Sequence, residues 1–549
     1  MASIFTENAS KLHLYLKEAR ILVVDDFQGM RTMLRNILKD AGGVNIDTAA
    51  NAKEALALLK ASSYDIILCD FNLGVGQNGQ QLLEEARMRS YIGPGTIWII
   101  VTAEKTNDLV MGAAESKPDG YILKPINLQT LESRLEKLLE KKRAMGGIEA
   151  AVKTRNYLRV IEACDKLRSS KPANLQDILR IKSEALMTLG RYEEAAQLFE
   201  AVLTIRDVSW AKTGLGKVSF HQKDYDHAAS IFREVLAANR LYMEASDWLV
   251  KTMQAIGDTE QALKVLQEAV EVSPNSANRQ KVLGETAYVT GDLDLAQTAF
   301  EKTIRISEFS PAKSPDVFAG LAKVFTDKKE PSKALNTLGQ CRREFKDNPE
   351  ALLYASIAES VVHQSVGDGA KAKAAMQQAL QAKASMDGVL PTDLSLEMAN
   401  ALFKLGDKEA ASQLLGEVVK NNHDRPGVAA KVQTLFEAAE MGDEGRELIA
   451  KSKEDVVNIN NQGVLLAREE KIDDAIALLR QAAIDMPNSE TVLMNLCGTL
   501  IAKMQKDGRD GDLLLEVQEM LFRVNTINPD NKKQHEYAAA IAALAPSGA

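Results

Sequence analysis

No two cysteines of this chain stand near one another. Cys69, Cys164, Cys341 and Cys497 are isolated, so neither a CxxC redox pair nor the ligand spacing of a zinc site exists. Lone thiols of this kind fit buried small hydrophobes in a reducing cytoplasm. A membrane-spanning run is also missing, since no stretch approaches the ~18 apolar residues that a bilayer requires. The N-terminal residues lack a charged-then-apolar signal pattern, and a cytoplasmic protein without membrane insertion is the expectation. Basic excess is absent too: the formal net charge is -9 and no basic stripe or base-stacking motif offsets it, which argues against nucleic acid as a partner. Histidines are few and scattered, and His221 and His227 share no helical face. With neither metal-ligand nor triad spacing, an enzyme is not expected.

What the chain does have is alternation followed by repetition. Its 549 residues are too many for one core, and an apolar fraction of 45% supports extensive packing. Aromatics make up only 5%, and Ala and Leu crowd the region after about residue 150, which favours helix there. Between about residues 20 and 143, strand-like runs at 21–24, 66–69, 96–101 and 121–123 alternate with helical stripes. One stripe is Met30, Leu34, Ile37 and Leu38, and another is Leu82, Leu83 and Ala86. Asn127 caps a closing helix whose stripe runs through Leu128, Leu131, Leu135, Leu138 and Leu139. This predicts a doubly wound α/β unit over 18–143, whose ligand sites form outside the carboxyl ends of parallel strands. Residues 1–17, with Leu12, Leu14 and Leu16 among polar neighbours, are expected to form an arm or short helix. A joint is expected at 144–149, around Gly146-Gly147, with the closing helix running on as the alternative.

Four strand ends carry chemistry. Asp25-Asp26, Asp70, Thr102 and Lys124 all fall at or just past them, so residues 44, 32 and 22 positions apart can meet in one crevice. A carboxylate accepts a phosphoryl group only if the charge gathering between two anions is neutralised. Mg²⁺ does this with hard oxygen ligands: Asp25, Asp26, Asp70 and the carbonyl of Asn72 suit it. Lys124 places a point charge on the phosphoryl oxygens, and Thr102 offers its hydroxyl.

With these residues in that order, the segment resembles a response-regulator receiver domain, the aspartyl-phosphate switch of bacterial two-component signalling, in a flavodoxin-like fold. The resemblance implies that Asp70 is the phosphoacceptor, Asp25 and Asp26 the acidic metal pair, Thr102 and Lys124 the phosphoryl-sensing pair, and Tyr121 the switch aromatic. It further implies that Asn72 and Glu104 line the path of the hydrolytic water and tune dephosphorylation. The match departs from the family in two loops. Gly74 stands where a proline is frequent and is followed by Val75-Gly76-Gln77-Asn78-Gly79, and residues 114–119 lack the usual Gly-Ala pattern.

From about 150 to 540 the pattern becomes helix pairs with a period near 34. Gly190-Arg-Tyr192-x-x-Ala195-x-x-x-Phe199 and its later copies place alanines at 195, 228, 262 and 296, separated by 33, 34 and 34. Further copies centre on Ala411 and Ala475, with Gly463 at the small position of a first helix. The repeat is degenerate over 345–390 and 425–455. The region resembles tetratricopeptide repeats in an all-α solenoid, although the first-helix Trp is not regularly placed: Trp210 and Trp248 are off phase. Arg180, Lys217, Lys251 and Lys281 are expected along the concave face. The whole reads as a signalling adaptor: a sensor histidine kinase or phosphotransfer protein donates to Asp70, the face near Tyr121 and Leu128 to Leu139 changes, and the repeats gain or lose a protein partner. The alternative is a phosphotransfer-interfering regulator that sequesters a kinase or competes with another regulator. Homodimerisation through the receiver is compatible with either.

Overall fold

Alternate residues of the first strands feed two different cores. The computed structural model describes residues 12–93, 95–103, 118–154, 156–169, 174–386, 388–423, 425–528 and 531–544. Strands β1 (Arg20–Val24), β2 (Asn45–Ala49), β3 (Ile66–Asp70), β4 (Ile97–Thr102) and β5 (Gly120–Leu123) form one parallel sheet in the order β2-β1-β3-β4-β5. Helices α1 (Gln28–Asp40), α2 (Ala52–Ala61), α3 (Gly79–Met88) and α4 (Leu128–Lys153) cover its faces. Ile21, Val23, Ile66, Leu68, Ile99 and Val101 pack on Leu34 and Leu38 of α1 and on Leu131 and Leu135 of α4. Their neighbours Leu22, Val24, Ile67, Cys69, Trp98 and Ile100 pack instead on α2 and α3, through Ala55, Leu59, Leu82 and Leu83. A sheet buried on both faces explains why these strands read as continuous apolar runs.

Asparagine starts three of the four helices. Asn51 accepts from Glu54 N (2.9 Å), Asn127 from Thr130 N (2.8 Å), and Asn78 forms a reciprocal capping box with Gln81. Of the arm expected over 1–17, residues 1–11 lie outside the described residues and 12–17 are helical; Leu12 and Leu16 enter the α1/α4 core while Leu14 is exposed.

Residues 144–149 carry no break. α4 continues through them to Lys153, so the final receiver helix and the first solenoid helix are one. Gly146 and Gly147 each cost roughly 1 kcal/mol relative to alanine, but no proline interrupts the run. Met145, Ile148 and Ala151 are buried and carry the apolar stripe into the solenoid.

The repeats are antiparallel helix pairs, and their motif has a local cause. Gly257, Gly291 and Gly406 close first helices at φ of +86, +83 and +81, a region that glycine enters without strain. The aspartate that follows each one caps the second helix: Asp258, Asp292 and Asp407 accept from the main-chain N–H of Gln261, Leu295 and Ala410 at 3.0, 3.0 and 3.2 Å. Four residues after each repeat alanine, a large side chain reaches a small residue on a first helix. Phe300 lies between Gly284 and Gly320, where an added Cβ would stand 2.8 and 2.9 Å from its ring. Gly463 receives Leu479 in the same way, as its position in the repeat implies. The stretch 345–390 is more regular than expected: Pro349–Ser365 and Gly369–Ala384 form a full pair, with Asp368 as cap and Ala372 and Met376 buried. Within 425–455 the helix Gly442–Arg468 runs on for 27 residues and joins two repeats. No helix among the described residues is long and apolar enough to cross a membrane.

Candidate functional site

Parallel pairing sets the ends of β1, β3, β4 and β5 side by side. Val24 pairs with Cys69, Asp70 with Val101 and Thr102 with Leu123, so the residues just beyond them share one rim. Asp25 is fully buried there, Asp70 is 8% exposed and Thr102 is 2% exposed, whereas Asp26 and Asn72 face solvent. Lys124 Nζ donates to Asp25 Oδ2 at 2.9 Å and to Asp70 Oδ2 at 2.7 Å, tying together groups 99 and 54 residues away. Its main-chain N–H donates to the carbonyl of Thr102 (2.8 Å), which fixes where the side chain leaves the sheet.

Asp25 is oriented by its own turn. Its Oδ1 accepts from Phe27 N at 2.9 Å, leaving Oδ2 for the lysine. Asp26 passes close to the loop after β3, where a Cβ on Gly74 would stand 3.4 Å from its Oδ2. Gly74 N donates to Asn72 Oδ1 (3.2 Å), which turns that loop back toward the crevice. One carboxylate oxygen from each of Asp25, Asp26 and Asp70 lies within 4.8 Å of the other two. Three hard anionic oxygens that close, two of them from buried groups, suit a small divalent cation.

Electrostatics follow from depth and pairing. Burial pushes the Asp70 carboxyl above the usual carboxylate range, against the downward pull of the Lys124 hydrogen bond and charge. For Lys124 burial acts downward, and the hydrogen bonds to Asp70 and Asp25 outweigh it, holding the ammonium above its ordinary value. The neighbouring Cys69 thiol is pushed well up, first by burial and then by the two aspartates.

The expected site residues that the structure describes therefore occupy or adjoin one rim. Asp25, Asp26, Asp70 and Lys124 converge, Asn72 and Thr102 flank them, and Tyr121 sits half-buried on β5. Glu104 lies outside the described residues. Sequence reasoning missed Arg31, whose Nη1 donates to the carbonyls of Asp25 (2.7 Å) and Asp26 (3.0 Å) and braces the acidic pair from α1. Its place one helical turn past the start of α1 was the available signal.

The response-regulator receiver domain model matches residues 21–136. The chemotaxis protein CheY of Pseudomonas aeruginosa is 34% identical over 122 residues, 22% of this chain and 97% of that protein. The chain belongs to the response-regulator family. CheY-3 of Vibrio cholerae, also 34% identical, matches over 125 residues, 23% of this response regulator and 95% of that protein. The solved structure of V. cholerae CheY4 is 31% identical and covers 22% of this chain and 98% of its own, with a TM-score of 0.21. Two tetratricopeptide-repeat models match residues 184–242 and 219–285, so the receiver of this response regulator is followed by a repeat region.

On that region the expected basic line does fall on alternate helices, but it is largely offset. Arg180 meets Glu184 and Glu244, Lys217 meets Glu244, and Lys281 meets Asp316. Lys251 lies over the Trp248 ring at 4.6 Å. Acids on the same or neighbouring helices thus pair three of the four cations.

Proposed function

We propose that this response regulator takes a phosphoryl group on Asp70 from a phosphohistidine of a sensor kinase or phosphotransfer protein, and that the repeats change their protein partner in response. A carboxylate oxygen of Asp70 bonds to phosphorus as the phosphorus–nitrogen bond breaks; the histidine nitrogen keeps the electron pair and takes up a proton. Asp25, Asp26 and Asp70, with the main-chain carbonyl of Asn72, would hold Mg²⁺, which when bound offsets the anionic charge between carboxylate and phosphoryl oxygens. Lys124 carries its charge from the Asp70 carboxylate to the new phosphoryl oxygens within a hydrogen bond's reach. The Thr102 hydroxyl supplies a further donor, and Tyr121 on the neighbouring strand follows Thr102 inward. The tuning of acyl-phosphate hydrolysis expected of Asn72 and Glu104 completes this reading.

The observation that carries this reading is the double hydrogen bond of Lys124 to Asp25 and Asp70 beside the acidic triplet. Radiolabelled acetyl phosphate with Mg²⁺ should place acid-stable, base-labile label on Asp70, and Asp70→Asn or a chelator should abolish it. A pull-down with the native chain, Asp70→Asn and a beryllofluoride-loaded form should then return different partners. An unlabelled Asp70 defeats the first step, and identical partner sets in all three defeat the second.

A further inference from the structure

Among the described residues, the segment that departs from the receiver pattern, Gly74 to Gly79, carries a contact with the repeats. Gln77 Nε2 donates to the main-chain carbonyl of Phe309 at 2.7 Å, and Gln81 Nε2 to that of Ile306 at 3.3 Å. Ile306 ends the helix Leu293–Ile306, so its carbonyl is among those that a helix cannot satisfy itself. Beside these bonds lies a cleft of about 400 Å³, walled by Phe71, Asn78 and Glu84 of the receiver and by Pro274, Ser276 and Ala312 of the repeats. Both glutamines are oriented for the contact. Gln81 Oε1 accepts from Asn78 N (3.0 Å) in the capping box, which turns its amide N–H outward, and the Gln77 amide also donates to Glu85.

The same segment is fastened to the acceptor strand. Gly79 N donates to the carbonyl of Phe71 (2.8 Å), and Phe71 N to that of Val101 (3.1 Å). A Cβ on Gly79 would collide with the carbonyl of Asp70 itself, so α3 begins against the main chain of that residue. A change at Asp70 and Asn72 therefore reaches Gln77 and Gln81 through contacts a few residues long. The helix α4, which also joins the units, holds Gly146 and Gly147 with open space around both, and glycine pairs are where helices bend.

We infer that the receiver docks on its own repeats through Gln77 and Gln81, and that phosphorylation at Asp70 is relayed to the turns at 273–278 and 306–312 through this contact. The relay rests on the acceptor role proposed for Asp70; the docking does not. It adds a second outlet to the face near Tyr121 and Leu128 to Leu139.

Hydrogen exchange on the full chain tests both parts. In Gln77→Glu/Gln81→Glu each donor amide becomes a carboxylate facing a carbonyl, while the carboxylate introduced at position 81 still accepts from Asn78 N and keeps α3 capped. Exchange in 273–280 and 306–313 should quicken about tenfold in this variant relative to the distant turn at 406–411. Native protein labelled on Asp70 by acetyl phosphate and Mg²⁺ should show a similar rise, and Asp70→Asn should show none. Unchanged exchange in the double variant overturns the docking. Labelled Asp70 with unchanged exchange at those turns overturns the relay. An unlabelled Asp70 alongside a responsive variant keeps the docking surface and sinks the acceptor role together with the relay.

Discussion

Replacing Lys124 by methionine removes the cation that holds Asp25 and Asp70 together, while keeping most of its alkyl stem. Two hydrogen bonds to charged groups, at 2.9 and 2.7 Å, are lost, each contributing about 1.5–3 kcal/mol. Part of that is recovered, because burial already pushes the Asp70 carboxyl upward and losing the ammonium removes the main opposing pull, which eases the cost of the unpaired carboxylate. The net loss should be about 2–3 kcal/mol, since a buried carboxylate that loses its charged partner is costly even after such relief. Excess Mg²⁺ should then stabilise Lys124→Met more than the native chain. Asp25, Asp26 and Asp70 each bring an oxygen within 4.8 Å of the others in the native chain, and in the variant the ammonium that competes for two of them is gone. At a concentration 100 times Kd, binding contributes about 2.7 kcal/mol, comparable to the loss. Exchange of the β1 and β3 amides reads the receiver apart from the repeats, in chelator and in Mg²⁺. Unaltered protection in chelator, or equal Mg²⁺ gains in variant and native protein, would refute the argument.

Two helical glycines should respond with opposite sign. Gly284→Val forces a branched side chain toward the Phe300 ring, already 2.8 Å from an ideal Cβ, and should cost about 2 kcal/mol in urea unfolding of the repeats followed by circular dichroism; an unchanged midpoint would contradict the packing. Gly146→Ala, with nothing within 4 Å, should instead stabilise α4 by about 0.5–1 kcal/mol, and a loss there would show that the glycine serves a contact. The thiols should be inert in the native chain. Burial raises Cys164 to about 11 and Cys341 and Cys497 to about 12, and lifts Cys69 well above its usual value, so all four stay protonated near neutrality. Mass spectrometry after iodoacetamide should find no adduct without denaturant and four with it; a native adduct would contradict their burial.

The receiver was legible where its strands fill two cores and illegible where a strand gives each core a single residue. β1, β3 and β4 are unbroken apolar runs because both their faces are covered. β2 carries only Ile46 and Ala49 inward, at the edge of the sheet, so neither it nor α2 stood out from the polar sequence around them. In the repeats the obstacle was spacing. Gly367-Asp368-x-x-x-Ala372-x-x-x-Met376 is a full copy of the motif, yet Ala334, Ala372 and Ala411 are 38 and 39 residues apart, because the 17-residue helix Pro349–Ser365 lengthens the first interval, and the 16-residue helix Gly369–Ala384 with the connection after it lengthens the second. A search for a fixed period passes over such a unit, whereas the Gly-Asp turn and its alanine do not depend on helix length. The fused helix Gly442–Arg468 lacks even the turn, and Gly445 against Phe436 is the trace of a repeat that remains.

Site and interface differ in what they demand of the sequence. Charge stabilisation at the crevice needs carboxylates on two strand ends and an ammonium on a third, and few other residues satisfy it, so Asp25, Asp26, Asp70 and Lys124 were readable before their convergence was seen. The receiver–repeat contact uses side-chain amides on main-chain carbonyls, which every residue owns. Ile306 and Phe309 contribute their backbone, and no residue type at those positions would have marked the contact. What did mark it was a departure: the glycines and glutamine after Gly74 break the receiver pattern without removing Asp25, Asp26, Asp70 or Lys124. A loop that abandons its family's pattern beside an intact site has been freed from one constraint or placed under another, and here the second constraint is the repeat surface it touches.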